Sequence, residues 1–419
     1  MDPKGGYTMK DKVNRKDFFK IVGAAGIGAA SMGMIGVGCK KNEANGKNIT
    51  TGTSKSKYPQ IPRRKLGKTN EMVPILSHGI MYNLLDNMIV LKKALEWGIS
   101  HWDTSHMYAG GNSELGMGKF FKKYPEKRKD IFLVSKASGA RTAAEVEKKL
   151  QLSLKRMNTT YIDLYYGVHA LSDPKQLTPE LKKWAENAKK RGVIKHFGFS
   201  THKNMAECLM AASKLDWIDA IMTSWNFRLM QDKKMQKAVD ACHKANIGLI
   251  SMKVMGLPIS SDGDKKLTQH FVKKGFSEGQ AKLKAVLEDK RFAASCVTME
   301  NTALISANAA AALDKTRITQ ADMKVLREYA LGSCSSYCTG CVQHCMAALP
   351  EAPIVSDVMR YLMYYNSYGD EARAQELFSE IPLSMRNRLA KLDYTAAERK
   401  CPQKLPIGIF MKEALEKLS

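Results

Sequence analysis

The chain has 419 residues, long enough for one large barrel domain with a smaller appendage at either end. Its hydrophobic fraction of 44% excludes wholesale disorder. The formal net charge of +25 comes from lysines scattered over helical faces, so most of it is a solvated surface, with a residual field that attracts phosphate-bearing cofactors or an anionic membrane. No nucleic-acid-reading motif accompanies this charge, and nucleic acid is not an expected partner.

The first element is an address. Asn14-Arg15-Lys16-Asp17-Phe18-Phe19-Lys20 precedes a Gly/Ala-rich apolar run over 21–38, then Cys39-Lys40-Lys41. A basic stretch, a mildly apolar core and a small-residue exit describe an export signal over residues 1–39. The order resembles a twin-arginine signal, with Arg15-Lys16 in place of the Arg pair. Cys39 after Val37-Gly38 resembles a lipoprotein cleavage site, although Gly36 stands where Leu is usual. Residues 40–58, rich in Lys, Asn, Gly, Ser and Thr, read as a flexible tether. The expected location is therefore outside the cytoplasmic membrane, periplasmic or membrane-anchored, with any membrane contact made through the signal or a lipid.

Between residues 59 and 331, short apolar runs alternate with amphipathic stretches. The predicted strands are Ile75–Met81, Ser100–Ser105, Ile131–Ala137, Asp163–Ala170, Ile194–Thr201, Ala220–Trp225, Gly248–Val254 and Ala294–Met299. Near-continuous apolar runs suit strands buried on both faces. A helix starts at Thr142, with Glu145 completing a capping box and Val146, Leu150, Leu154 and Met157 on one face. Eight such units predict an α/β fold, a (β/α)8 TIM barrel. An open doubly wound sheet would need a glycine-rich first turn, which is absent.

In a barrel of this kind, function gathers at the carboxyl ends of the strands. Those ends read Trp102-Asp103-Thr104-Ser105-His106-Met107-Tyr108, then Val134-Ser135-Lys136, then Tyr166-Gly167-Val168-His169. Carbonyl reduction by hydride needs a proton donor for the nascent alkoxide. A phenol such as Tyr108 has an unperturbed pKa of ~10. The ammonium of Lys136 is expected to lower it, with Asp103 keeping that lysine charged and His169 orienting the carbonyl oxygen.

These four residues, in this order and at these strand ends, resemble the tetrad of the aldo-keto reductase superfamily. The opening Arg64-Lys65-Leu66-Gly67-Lys68-Thr69 and the segment Gly198-Phe199-Ser200-Thr201-His202 match the same family. The resemblance implies NADPH or NADH as cofactor and a small-molecule carbonyl or alcohol as substrate. It places Ser200 and Thr201 against the nicotinamide amide and Asn308 against the adenine, with the start of helix 303–312 near the phosphates. Three positions depart from the family: Met222 where Gln is common, Met252 where an aromatic stacks on the nicotinamide, and no Arg ahead of Asn308.

The tail, residues 332–419, carries Cys334, Cys338, Cys341, Cys345 and Cys401-Pro402. It resembles, in degenerate form, the ferredoxin-like module found in a subgroup of these reductases, which implies one 4Fe–4S cluster. Its ligands are then drawn from Cys338, Cys341, Cys345 and either Cys334 or Cys401. Disulfides and a zinc site remain alternatives for the same thiols. Helices are predicted over 354–365 and 407–418, packing the tail on the barrel. Besides the reductase, two other readings stand: an electron-transfer protein working with a redox partner, and a non-catalytic binding or sensing barrel.

Overall fold

The structure is a computed structural model that describes residues 58–256, 269–271, 273–332, 338–368 and 370–419. The segment read as an export signal, Cys39 and Cys334 lie outside the described residues. The chain opens with a short antiparallel hairpin, β1 (Arg63–Lys65) and β2 (Met72–Pro74). The strands β3 (Leu76–Gly79), β4 (His101–Asp103), β5 (Phe132–Ser138), β6 (Ile162–Leu171), β7 (Ile194–Thr201), β8 (Ala220–Ser224), β9 (Gly248–Met252) and β10 (Ala294–Thr298) follow. They pair in parallel in chain order, and β10 returns to β3 to close the barrel. The hairpin floors it. A Cβ on Gly67, whose φ is +53°, would lie 2.3 Å from the Gly248 nitrogen, so glycine is required where the turn meets the start of β9.

Side chains alternate along each strand, and this alternation aims the functional groups. On β6, Leu164 and Tyr166 enter the interior with Phe132 and Val134 of β5, whereas Tyr165 joins the layer between sheet and helices. On β4, Trp102 packs outward against Phe120 and Phe121, with ring centroids 5.3 and 6.1 Å away. Its neighbour Asp103 therefore turns inward. Lys136 extends the inward row begun by Phe132 and Val134.

The capping box of Thr142 and Glu145 starts the helix Ala143–Arg156, which buries Val146, Leu150 and Leu154. Asn301 caps the helix Thr302–Leu313, accepting from the Leu304 amide at 2.9 Å. Beyond the barrel, the helices Val342–Ala348, Val355–Tyr368, Glu371–Ser379, Leu383–Leu389, Thr395–Lys400 and Ile407–Leu418 surround a separate core that includes Leu349, Val358, Phe378, Ala397 and Met411. This extension docks at the carboxyl end of β7. The Asn204 amide donates to the Gly340 carbonyl at 3.0 Å, Gln343 Nε2 donates to Glu207 Oε1 at 3.0 Å, and Lys203 pairs with Asp357. Among the described residues, no helix is long and apolar enough to cross a membrane.

Candidate active site

The chain leaves β4 at Asp103 and turns back at once, the Tyr108 amide donating to the Ser105 carbonyl at 3.0 Å. Ala109, Gly110 and Gly111 then take left-handed backbone conformations, which two glycines make affordable. Arg156 anchors this loop, donating from one guanidinium nitrogen to the His106 carbonyl at 2.7 Å. The turn brings Tyr108 back over β5. Lys136 Nζ lies 4.7 Å from the centroid of the Tyr108 ring. It also donates to Asp103 Oδ1 at 2.5 Å and to the Thr104 carbonyl at 2.7 Å. Lys136 is 1% exposed, so this ion pair sits away from water.

The electrostatics correct one expectation. Burial raises the Tyr108 phenol above its ordinary pKa; Lys136 pulls it down, but Asp103 pushes it up again and desolvation wins. Lys136 therefore moderates the phenol without bringing it near neutrality. Burial also opposes the charge on Lys136, yet Asp103 and Tyr108 outweigh that and hold its pKa above the ordinary value. Burial in the barrel mouth, then the nearby charges of Lys136, Arg373 and Arg360, hold His169 well below its usual range. His169 is thus a neutral imidazole at neutral pH. Its Nδ1 lies 2.5 Å from Ser138 Oγ, which in turn lies 2.8 Å from Ser105 Oγ. When Ser138 donates to Nδ1, the ring carries its proton on Nε2, free to donate toward a carbonyl oxygen. Ser138 was detectable in principle, because it follows Lys136 by two residues on the same strand.

On the neighbouring strand, the sheet register sets Ser200 beside His169 and Met222 beside Ser200. Gly198 precedes them for a steric reason, since a Cβ there would sit 1.9 Å from the Ala220 carbonyl oxygen. Ser200 Oγ and Thr223 Oγ1 are buried without a hydrogen-bond partner among the described residues. An orphaned hydroxyl beside His169 fits a group that brings its own amide. Thr201 Oγ1 is engaged with the Leu171 and Lys203 carbonyls, at 2.7 and 3.0 Å, so Ser200 rather than Thr201 is the available contact. Met222 and Met252 line the barrel interior with Tyr166. Asn308 is buried on the Thr302–Leu313 helix, remote in sequence from the tetrad.

The tail contributes to this mouth in a way the sequence did not reveal. The Arg373 guanidinium lies 5.9 Å from the centroid of the Tyr108 ring. Cys338, Cys341, Cys345 and Cys401 line one cavity, with His344 and Pro402 in its wall, and all four are free thiols. Among the described residues, no three His, Cys, Asp or Glu side chains are grouped to hold a single metal ion. Burial pushes the Cys338 thiol up to about 11 and that of Cys345 up to about 12.

Comparison with known proteins agrees with this geometry. The fission yeast protein "Aldo-keto reductase yakc [NADP(+)]" is 30% identical over 219 residues, spanning 47% of this chain and 62% of its own length. A soybean protein, "Probable aldo-keto reductase 1", is 28% identical over 218 residues, or 47% of this chain and 60% of that one. The chain thus spans less than two thirds of the length of these curated relatives. Among solved structures, the aldo-keto reductase AKR11C1 from Bacillus halodurans, in its holo form, superposes with a TM-score of 0.54 at 20% identity, covering 64% of this chain and 96% of that one. The thermostable aldo-keto reductase Tm1743 gives the same TM-score of 0.54 at 23% identity and is covered completely, with 64% of this chain. At these identities the structures speak to the fold. The model of the aldo/keto reductase family matches residues 80–324, more than half of the sequence and all four tetrad positions, and the chain belongs to that family.

Proposed function

We propose that the chain is an oxidoreductase that transfers hydride between NADPH or NADH and a small-molecule carbonyl or alcohol. The observation that carries this reading is the buried Asp103–Lys136 pair beneath the Tyr108 ring, next to a neutral His169. The bound nicotinamide supplies the hydride. Tyr108 Oη donates its proton to the carbonyl oxygen as the carbon is reduced, and water later reprotonates the phenolate. Lys136, kept charged by Asp103, stabilises that phenolate. His169 holds the carbonyl oxygen in line. The name of the yeast relative supports NADP as the nucleotide.

The test is nicotinamide-dependent turnover of carbonyl compounds by the full chain; a protein that neither turns them over nor binds either nucleotide overturns the reading. Ser200→Ala separates cofactor seat from fold. One lost hydrogen bond of about 1–1.5 kcal/mol weakens nucleotide binding roughly 5- to 10-fold. The nucleotide-free variant should melt slightly higher, because a buried orphan hydroxyl is gone. Tighter binding or a lower melting temperature contradicts the assignment.

We further infer an exported protein with a signal over 1–39, a tether over 40–58, the barrel over 59–331 and a cluster-bearing module over 332–419. Four free thiols around one cavity favour a 4Fe–4S cluster held by Cys338, Cys341, Cys345 and Cys401. Such a cluster would exchange single electrons with a redox partner. The experiment is anaerobic purification of the exported protein with iron and sulfide assays, beside Cys341→Ser. Iron that disappears in the variant supports the cluster; an iron-free wild type whose tail cysteines all titrate as free thiols overturns it.

A further inference from the structure

Three basic side chains at the barrel mouth lack acidic partners among the described residues. Lys253 follows β9 directly, and its Nζ lies 5.5 Å from the centroid of the Tyr364 ring. The Arg373 guanidinium lies 5.7 Å from the same ring and 5.9 Å from that of Tyr108. Lys253 and Arg360 line a cavity with His202, Ser224, Cys338 and Met363. Other half-buried cations have carboxylates, Arg128 with Asp163 at 2.8 Å, Lys284 with Asp314 at 3.1 Å and Arg291 with Asp289 at 2.6 Å, or carbonyls, as Arg64 does with Phe292 at 2.8 Å. Among the described residues, Lys253, Arg360 and Arg373 have no such carboxylate, and Arg373 Nε is buried without any hydrogen-bond partner. Burial first, then Arg360, depress Lys253 well below its ordinary value; Cys338 opposes that shift and Arg373 adds to it.

Unbalanced buried charge destabilises a fold. It is retained where an anion arrives to balance it. We infer that Lys253, Arg360 and Arg373 form an anion pocket beside Tyr108, which selects carbonyl substrates bearing a carboxylate close to the carbonyl. This rests on the carbonyl-reducing reading above. The position of Arg373 identifies the source of the anion. In an extended dinucleotide the phosphates are separated from the nicotinamide by a ribose, so a negative group beside the Tyr108 ring belongs to the other reactant. The guanidinium fork matches a carboxylate through two parallel hydrogen bonds, and an arriving anion favours the charged form of Lys253 near the same Tyr364 ring. The arginines come from the tail and Lys253 from the barrel, so the pocket exists only when the module is docked.

The test compares pyruvate with methyl pyruvate as substrates of the full chain, and oxamate with oxamide as unreactive ligands by calorimetry. Wild type should favour the acid in both pairs. Arg373→Gln should cut the acid-to-ester ratio of kcat/KM roughly 10- to 100-fold, the loss expected for hydrogen bonds to a charged group. Arg373→Lys should restore part of it. Equal use of acid and ester by wild type overturns the pocket, as does an equal loss for both in Arg373→Gln. If that variant instead weakens NADPH binding and leaves the acid-to-ester ratio alone, the cations serve the pyrophosphate and the proposal fails. Should no carbonyl turn over, the reductase reading falls; preference for oxamate over oxamide, lost in Arg373→Gln, still decides the pocket.

Discussion

Tyr108→Phe is expected to lower the single-turnover rate of carbonyl reduction by about 10²- to 10⁴-fold, the range for removing a positioned general acid. At 1.36 kcal/mol per decade this is roughly 3–5 kcal/mol of barrier. The substitution deletes only the hydroxyl. The ring keeps its place over Lys136, so nucleotide affinity and melting temperature should change little. Single-turnover measurement matters because product release limits many such rates and would hide part of the loss. A rate unchanged within a few-fold would remove Tyr108 from the chemistry and with it the tetrad.

The pH dependence follows from the direction of the Tyr108 shift. Burial, only partly offset by Lys136, holds the phenol above its ordinary value of ~10. Reduction needs the protonated phenol, so its rate should stay level through neutral pH and fall only in strong alkali. Oxidation of an alcohol needs the phenolate, so its rate should climb with pH over the same range. In Tyr108→Phe both slopes should vanish from the residual activity. His169, already neutral throughout that range, adds no slope of its own.

Much of this site was legible because a parallel barrel writes itself plainly. Strands buried on both faces appear as apolar runs, and every expected run overlaps an observed strand with ends within two residues; Ile194–Thr201 has the same bounds as β7. Asp103, Lys136 and His169 stand at the ends of such runs, where the strand period fixes their direction. Tyr108 lies off the strand, yet the turn from Ser105 returns it to the group. The phenol's pKa was misjudged for a physical reason: proximity to Lys136 is readable from order along the chain, but the depth of burial that overrides it is not. Arg360 and Arg373 were invisible for a different one. They lie on two helices of the tail, Val355–Tyr368 and Glu371–Ser379, and meet the mouth only through tertiary docking. Short helices such as Glu371–Ser379 and Leu383–Leu389 owe their stability to packing rather than propensity, so their periodic signal is weak.

Lys136→Met should cost about 3–5 kcal/mol of stability, because it strands a buried carboxylate. Asp103 Oδ2 already lacks a hydrogen-bond partner among the described residues, and Oδ1 would lose the ammonium at 2.5 Å. Burial raises the Asp103 pKa even with Lys136 present. Without the lysine it rises further, so the folded variant binds a proton that the unfolded chain releases above ~3.9. Stability of the variant therefore falls as pH rises through that window, and its deficit shrinks in acid. Asp103→Asn should also destabilise, leaving Lys136 buried with the Thr104 carbonyl as its remaining strong partner. The double variant removes both charges at similar volume and should recover most of the lost stability, since well-packed neutral replacements of a buried pair are often near neutral. Catalysis should behave otherwise. Lys136→Met and the double variant have no ammonium beside the phenolate, and Asp103→Asn removes the carboxylate that keeps Lys136 charged, so all three should remain slow, and the pH at which reduction declines should move upward wherever Lys136 is absent. Chemical denaturation of the four proteins measures the coupling: strictly additive stability losses would show that the pair is not a unit. Recovery of turnover in the double variant would separate the ion pair from the proton chemistry altogether. The expected result, stability regained while activity stays lost, assigns Lys136 to the transition state and Asp103 to keeping it charged.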